Sequence, residues 1–282
     1  MAKKLSVDKG LFAVTVGLVL IGIIMVFSAS AVLANDKFHS PLYFLLRQGI
    51  WASLGLAGMS VLMHVDYRQY RRPLLIYTGL FACAILLGAV FFLDKTHNTH
   101  RWFRFGPLSF QPSELSKLFI VAYLAYFLEK RMGQINDWRH TLLPCVVVVL
   151  PFFVLIVAEP DLGTSVCIAI VAFILLFTAG MRYSYTAGAI LSGIPVLFLL
   201  VYFFPYRLKR VLVFLDPWKD PLGAGFQITQ SLIALGSGGL FGLGLMEGKQ
   251  KLFYLPEPHT DFIFSVIGEE RGLLGTVGIL LL

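Results

Sequence analysis

Apolar residues fall in eight long runs separated by short polar stretches: residues 11–34, 46–65, 74–93, 113–128, 142–158, 162–180, 187–204 and 262–282. Runs of about 20 apolar residues match the roughly 30 Å hydrocarbon core of a bilayer at about 1.5 Å per helical residue. Backbone polar groups at that depth must be paired within the segment, which leaves helices or a closed barrel. The runs show no strict alternation, so they predict helices. The fifth and sixth are parted only by Glu159-Pro160-Asp161, which predicts a tight turn. Pro144, Pro151 and Pro195 fall inside runs and predict kinks.

One interval breaks the rhythm. Residues 205–261 are too long for an ordinary connection. Their middle, GFQITQSLIALGSGGLFGLG, is apolar and glycine-rich. It predicts a re-entrant or interfacial helix ending near Gly236, carrying Gln230 and Ser231; a ninth full span is the alternative.

Composition agrees with a membrane solvent. Of the 282 residues 57% are hydrophobic and 14% charged, with mean hydropathy +0.79; a soluble domain carries about 25% charged residues. The expected fold is all-α, a polytopic transmembrane bundle of about eight spans forming a single membrane domain over 1–282. Cys83, Cys145 and Cys167 lie in apolar runs without a CxxC, which points to packing rather than a disulfide or metal framework. The first run is longer than a signal h-region and reads as a signal anchor.

The net charge of +7 is distributed unevenly. With the N-terminus cytoplasmic, the inner segments hold Lys3, Lys4, Lys9, Arg68, Arg71, Arg72, Lys130, Arg131, Arg139 and Arg182. The first three outer connections hold Lys37, Arg47, Lys95, Arg101 and Arg104, a bias that fits this orientation. Arg207, Lys209, Arg210, Lys219, Lys249 and Lys251 in the last outer segment run against it and need another reason.

Charge at bilayer depth is costly, so polar residues at span ends are the candidates for chemistry. Four stretches carry them, all on the predicted outer side. HRWFRFGPLSFQPSELSKL places Arg101, Trp102 and Arg104 at headgroup level, Ser113 as a helix cap, and Glu114 and Lys117 one helical face apart. These form either an aromatic belt with a structural ion pair or the wall of a polar cavity. Glu159 and Asp161 flank Pro160; Asp161 caps the sixth span, or one carboxylate pairs with Lys117 or another cation lining a cavity. Arg207, Lys209 and Arg210 suit interfacial anchoring or an anionic lipid-linked ligand. Last, YLPEPHTDFIF sets Asp261 where loop meets span eight, with Glu257 and His259 beside it. Desolvation there would raise its pKa toward that of a general base; a helix cap is the plainer role. Glu269, Glu270 and Arg271 lie deeper, with Glu270 and Arg271 candidates for internal pairing. No zinc motif, P-loop or dinucleotide fingerprint occurs. The residues by themselves leave open an enzyme or transporter for a membrane-borne anion, or a scaffold.

RWFRFGPLSFQPSELSKL, EPDLGT, FLDPWKDPLGAGFQITQSLIALGSGGLFGLGL and KLFYLPEPHTDFIFSVIGEE, in this order after GIIMVFSASAV, resemble the SEDS family of shape, elongation, division and sporulation proteins. FLDPW and QKLFYLPE lean toward its FtsW cell-division branch rather than RodA. The resemblance implies ten spans and septal peptidoglycan glycosyltransfer, with lipid II as substrate and undecaprenyl pyrophosphate as leaving group. It implies Asp261 as the catalytic acid of the HTDF motif. Arg101, Trp102, Lys117, Arg210, His259 and Glu257 become substrate-binding candidates, and Glu114, Asp161, Glu159, Gln230 and Ser231 polar cavity residues. A divalent cation, magnesium or manganese, has a place in such chemistry, but its ligands are not shown. A class B penicillin-binding protein, an FtsI-like transpeptidase, is the implied partner, with other divisome proteins, in the bacterial inner membrane at the septum. A lipid II flippase and a scaffold that recruits a transpeptidase are the competing readings. The chain departs from the family at Met246-Glu247 and at Arg271, and it ends in Ile279-Leu280-Leu281-Leu282, inside an apolar run; the expectation is a piece lacking the last two spans.

Overall fold

The computed structural model describes residues 8–93, 101–105, 108–252 and 254–282. The predicted cations Lys3, Lys4 and Lys95 lie outside the described residues. The chain is a helical membrane bundle of ten α-helices among the described residues: α1 Lys9–Phe38, α2 Tyr43–Leu62, α3 Pro73–Leu93, α4 Pro112–Lys130, α5 Leu143–Ala158, α6 Leu162–Thr178, α7 Tyr183–Tyr202, α8 Pro205–Leu215, α9 Phe226–Ser237 and α10 Ile263–Leu281. Phe103–Phe105 (β1) and Leu108–Phe110 (β2) form an antiparallel hairpin with Arg104 opposite Ser109.

Each predicted apolar run is a helix, with ends shifted by a few residues. Lys9–Phe38, Pro73–Leu93, Tyr183–Tyr202 and the turn plus helix Trp138–Ala158 are long and apolar enough to cross a membrane. Helix α6 is apolar but shorter. Helices α2, α4 and α10 are diluted by Arg47, by Glu114 with Lys117, and by Glu269 to Arg271. The chain continues as helix through Pro151 and Pro195. Pro144 sits instead where the π-helical turn Trp138–Leu142 passes into α5.

The helices fall into two compact units, residues 1–64 with 197–282 and residues 65–196. In the second, α3 packs on α4, α4 on α6 and α5 on α6. Their core joins Ile76, Leu87, Ile120, Leu124, Ile156 and Ile168. Cys83 and Cys145 are buried in it as expected; Cys167 is exposed, so packing does not account for it.

In the first unit α1 packs on α2 and α10, and α10 on α9. Met25, Ala29, Leu255, Val266 and Ile267 form its core. Helix α8 is strongly amphipathic. Pro205 opens it, Leu208, Leu212 and Leu215 share a face, and its cations lie elsewhere. The predicted re-entrant helix is α9, which ends at Ser237, next to the expected Gly236.

Helix α10 is broken. Gly272 has φ 66° and ψ −164°, a conformation that is essentially glycine's alone. The glycine-rich segment after α9 docks at the break by main chain. Leu243 N donates to Glu269 O (2.9 Å) and Gly244 N to Glu270 O (3.1 Å), while Leu273 N and Leu274 N donate to Gly239 O (2.9 Å) and Leu240 O (3.2 Å). Carbonyls and amides freed by the break are thereby paired, as a low-dielectric surrounding requires. The approach leaves no room for side chains. A Cβ on Gly242, itself at φ 81°, would come 2.6 Å from the Arg271 Cα.

Candidate functional site

Within residues 65–196, the turn between α5 and α6 gathers one group of predicted residues. Arg101 Nε donates to Glu159 O at 2.9 Å, and its guanidinium also donates to Pro160 O. Gln111 Nε2 donates to Asp161 Oδ2 at 3.0 Å. Asp161 caps α6, accepting from Thr164 N (3.1 Å) and Thr164 Oγ1 (2.9 Å). The stretch before α4 is thus stitched to the turn before α6 by the Arg101 bonds to main chain and the Gln111 bond to the Asp161 side chain. Trp102 is partly exposed beside Arg101.

Glu159 is fully buried, and neither carboxylate oxygen has a hydrogen-bond partner among the described residues. Burial, seconded by the Asp161 charge and opposed by Arg101, pushes its pKa up to about 8. It is held as a neutral acid at neutral pH. Lys117 pairs with Glu114 at 2.8 Å on α4, not with Glu159 or Asp161. Ser113 does not cap α4: Gln111 occupies the cap position, Pro112 starts the helix, and the Ser113 hydroxyl is buried without a partner.

The other group lies in the first unit. Asp261 stands two residues before α10, and Phe262 holds the cap position, so capping is not its role. Asp261 is exposed. The desolvation expected from its sequence position is therefore not supplied by the protein around it. Beside it, the His259 ring packs on Phe44 of α2 with centroids 4.4 Å apart. Its Nε2 lies 4.0 Å from the Glu257 carboxylate and its Nδ1 is buried without a partner. Burial lowers the His259 pKa despite Glu257, with Lys37 also lowering it, so the ring is neutral at neutral pH. Glu257 itself is exposed, with φ 47°.

Arg210 is exposed and lies over the Tyr206 ring, 4.5 Å from its centroid. Arg207 is buried instead, donating to Leu200 O at 3.0 Å and covering the Phe204 ring. It fixes the corner between α7 and α8 rather than facing a ligand. Ser231 shares a 2.6 Å hydrogen bond with Ser265, tying α9 to α10, and Gln230 beside it is half-buried.

Sequence reasoning missed the most buried charged cluster. Lys251 Nζ lies 2.5 Å from Glu270 Oε1 and 3.1 Å from Ser28 Oγ, and Ser28 donates to both Glu270 oxygens at 2.7 Å. Glu269 accepts from Lys249 N (2.8 Å) and Gln250 N (3.1 Å). Of the two candidates for internal pairing, Glu270 is paired, with Lys251 and Ser28, whereas Arg271 is not paired among the described residues and is exposed beside an apolar groove of about 330 Å³ between α1 and α10. The available signal was the set of outer cations that charge bias left unexplained.

Among the described residues no group of three or more His, Cys, Asp or Glu side chains is placed to hold a metal ion.

The family of cell cycle proteins comprising FtsW, RodA and SpoVE matches residues 9–282. The chain belongs to this family. It is 44% identical over 257 residues to a protein of Geobacter sp. strain M18 named probable peptidoglycan glycosyltransferase FtsW, covering 91% of this chain and 70% of the relative. It is 41% identical to stage V sporulation protein E of Bacillus subtilis strain 168, covering 99% and 77%. Among solved structures it is similar to a chain of a peptidoglycan synthase complex described as coordinating polymerization and crosslinking, with TM-score 0.71, 31% identity and coverage of 98% and 74%. The rod shape determining protein RodA of Thermus thermophilus is also similar, with TM-score 0.63, 28% identity and coverage of 98% and 71%.

Proposed function

We propose that this chain is a peptidoglycan glycosyltransferase that polymerises lipid II, with Asp261 as its general base. The observation that carries the reading is an accessible carboxylate at the head of α10 in a chain 44% identical to a named peptidoglycan glycosyltransferase. Asp261 accepts the proton of the acceptor sugar's 4-hydroxyl as that oxygen bonds to the donor's anomeric carbon. The bond from that carbon to the pyrophosphate oxygen breaks, and undecaprenyl pyrophosphate leaves.

Asp261 makes no ion pair or hydrogen bond with the described residues, so its lone pairs are available to a substrate hydroxyl. Its exposure means that bound substrate, not the apo protein, completes its desolvation. The neutral His259, two residues away, brings no positive charge to compete for the Asp261 carboxylate at neutral pH. Arg210, exposed in the same unit, is the cation assigned to the departing pyrophosphate.

The chain works as a multi-pass membrane protein beside a transpeptidase; its similarity to a chain of a synthase complex that coordinates polymerization and crosslinking supports this. The N-terminus is cytoplasmic and the site of action is the division septum.

The test is Asp261→Asn, made in the chain reconstituted with lipid II and a class B penicillin-binding protein. Glycan strands should fall by at least about a hundredfold with the thermal midpoint unchanged. Undiminished polymerisation by the variant defeats the assignment. Transbilayer movement of labelled lipid II that persists without polymerisation favours a transporter.

A further inference from the structure

The Lys251–Glu270 pair closes a loop. Its partners are 19 residues apart in sequence, and between them lie Leu255, Glu257, His259 and Asp261. The loop has three attachments at increasing distance from its base. At the base, Lys251 and Glu270 are 4% and 0% exposed, and Ser28 of α1 bridges them. In the middle, Leu255 is 2% exposed against Met25, Ala29, Val266 and Ile267. At the tip, His259 rests on Phe44. The Asp261 side chain, by contrast, makes no hydrogen bond or ion pair among the described residues.

We propose that Lys251, Glu270 and Ser28 are positioning residues that set the height and orientation of the Asp261 carboxylate. The inference rests on the reading of Asp261 as general base. A free loop of this length samples many end-to-end arrangements, and joining its base restricts them. Glu270 lies nine residues along from Asp261, about 13 Å at the helical rise. At that depth an unpaired charge is strongly disfavoured, so the pair has one low-energy arrangement rather than several. Neighbouring Glu269 supports the same base by accepting the amides of Lys249 and Gln250. Ser28 extends the arrangement to a third element, so α1, the loop and α10 share one polar node. A base displaced by about 1 Å loses on the order of a hundredfold in rate while substrate contacts made elsewhere persist.

The experiment uses the full chain in proteoliposomes and reads two quantities, lipid II polymerisation kinetics and hydrogen–deuterium exchange over residues 252–262. Glu270→Gln is expected to lower kcat by about ten- to a hundredfold with KM within about twofold. Exchange over 252–262 should quicken by at least about tenfold. The reversed pair Lys251→Glu with Glu270→Lys should recover both to within about threefold, which a loss of bulk stability alone would not produce selectively. Where Glu270→Gln does not fold, Ser28→Ala, which removes a hydroxyl and no charge, carries the same expectation at about threefold. Unchanged exchange over 252–262, or a kcat loss without faster exchange there, overturns the proposal. The catalytic reading is judged separately: if Asp261→Asn polymerises normally, that reading falls, whereas the exchange result still reports whether the ion pair holds the loop.

Discussion

Gly272→Ala strikes the break in α10 with the smallest available side chain. The residue occupies φ 66°, ψ −164°, and a non-glycine residue in such a region costs of order 1–3 kcal/mol. The added Cβ would also lie 2.6 Å from both the carbonyl carbon and the oxygen of Leu240, and closer still to Gly242 N. These are main-chain atoms, so no rotamer change relieves the overlap. Relief requires the docked segment to lift, which strains the bonds from Leu273 N to Gly239 O and Leu274 N to Leu240 O. Each is worth about 0.5–1.5 kcal/mol net. Together the terms reach roughly 4 kcal/mol, and at about 2–4 °C per kcal/mol for a chain of comparable size the midpoint should drop by about 10 °C. The assay is thermal unfolding in detergent followed by tryptophan fluorescence. Gly278→Ala is the control, since it lies in the same helix with open space around its Cβ. It should leave the midpoint unchanged or raise it slightly, as alanine favours helix over glycine. A Gly272→Ala protein melting within about 2 °C of the parent would refute the account of the break.

Two further outcomes follow from buried groups. Glu159 is protonated more readily in the folded chain, near pH 8, than in the unfolded chain, where an ordinary carboxyl titrates near 4.5; stability is therefore greatest below the ordinary value and declines as pH rises toward 8. Glu159→Gln should abolish that decline, so the two melting curves should diverge from pH 5 to pH 8 with the variant the more stable; parallel curves would contradict the buried neutral acid. Leu255→Ala removes a side chain that is 2% exposed and should cost about 2–5 kcal/mol, read as a lower midpoint together with faster exchange at residues 252–262, whereas a change below about 1 kcal/mol would mean that Leu255 does not anchor the loop.

The helices were legible because bilayer crossing demands long apolar runs, and each run became a helix. Asp161 as a cap and the Glu114–Lys117 pair were legible because both are local, three residues apart. What stayed hidden depends on partners distant in sequence or on main chain. Lys251 read as one more outer cation, since nothing near it in sequence indicates Glu270, still less Ser28. Ser113 was misread as a cap because Pro112 starts the helix one residue early. The amphipathic α8 left a signal, Pro205 followed by leucines at 208, 212 and 215, that was overshadowed by its cations. The break at Gly272 left almost none: GEERGLLG reads as a polar interruption, and the conformation of one glycine is not written in its neighbours.

The seam between the 239–244 segment and α10 is made by amides and carbonyls, which every residue type except proline carries alike. Its fit consequently cannot be adjusted by exchanging one side chain for another of different size. Divergence at this seam is confined to two routes: keeping hydrogen in place of a side chain at the crowded positions, or shifting the whole ladder by a residue. Compensating double substitutions, the usual trace of two surfaces changing together, should be missing here even though the two segments touch.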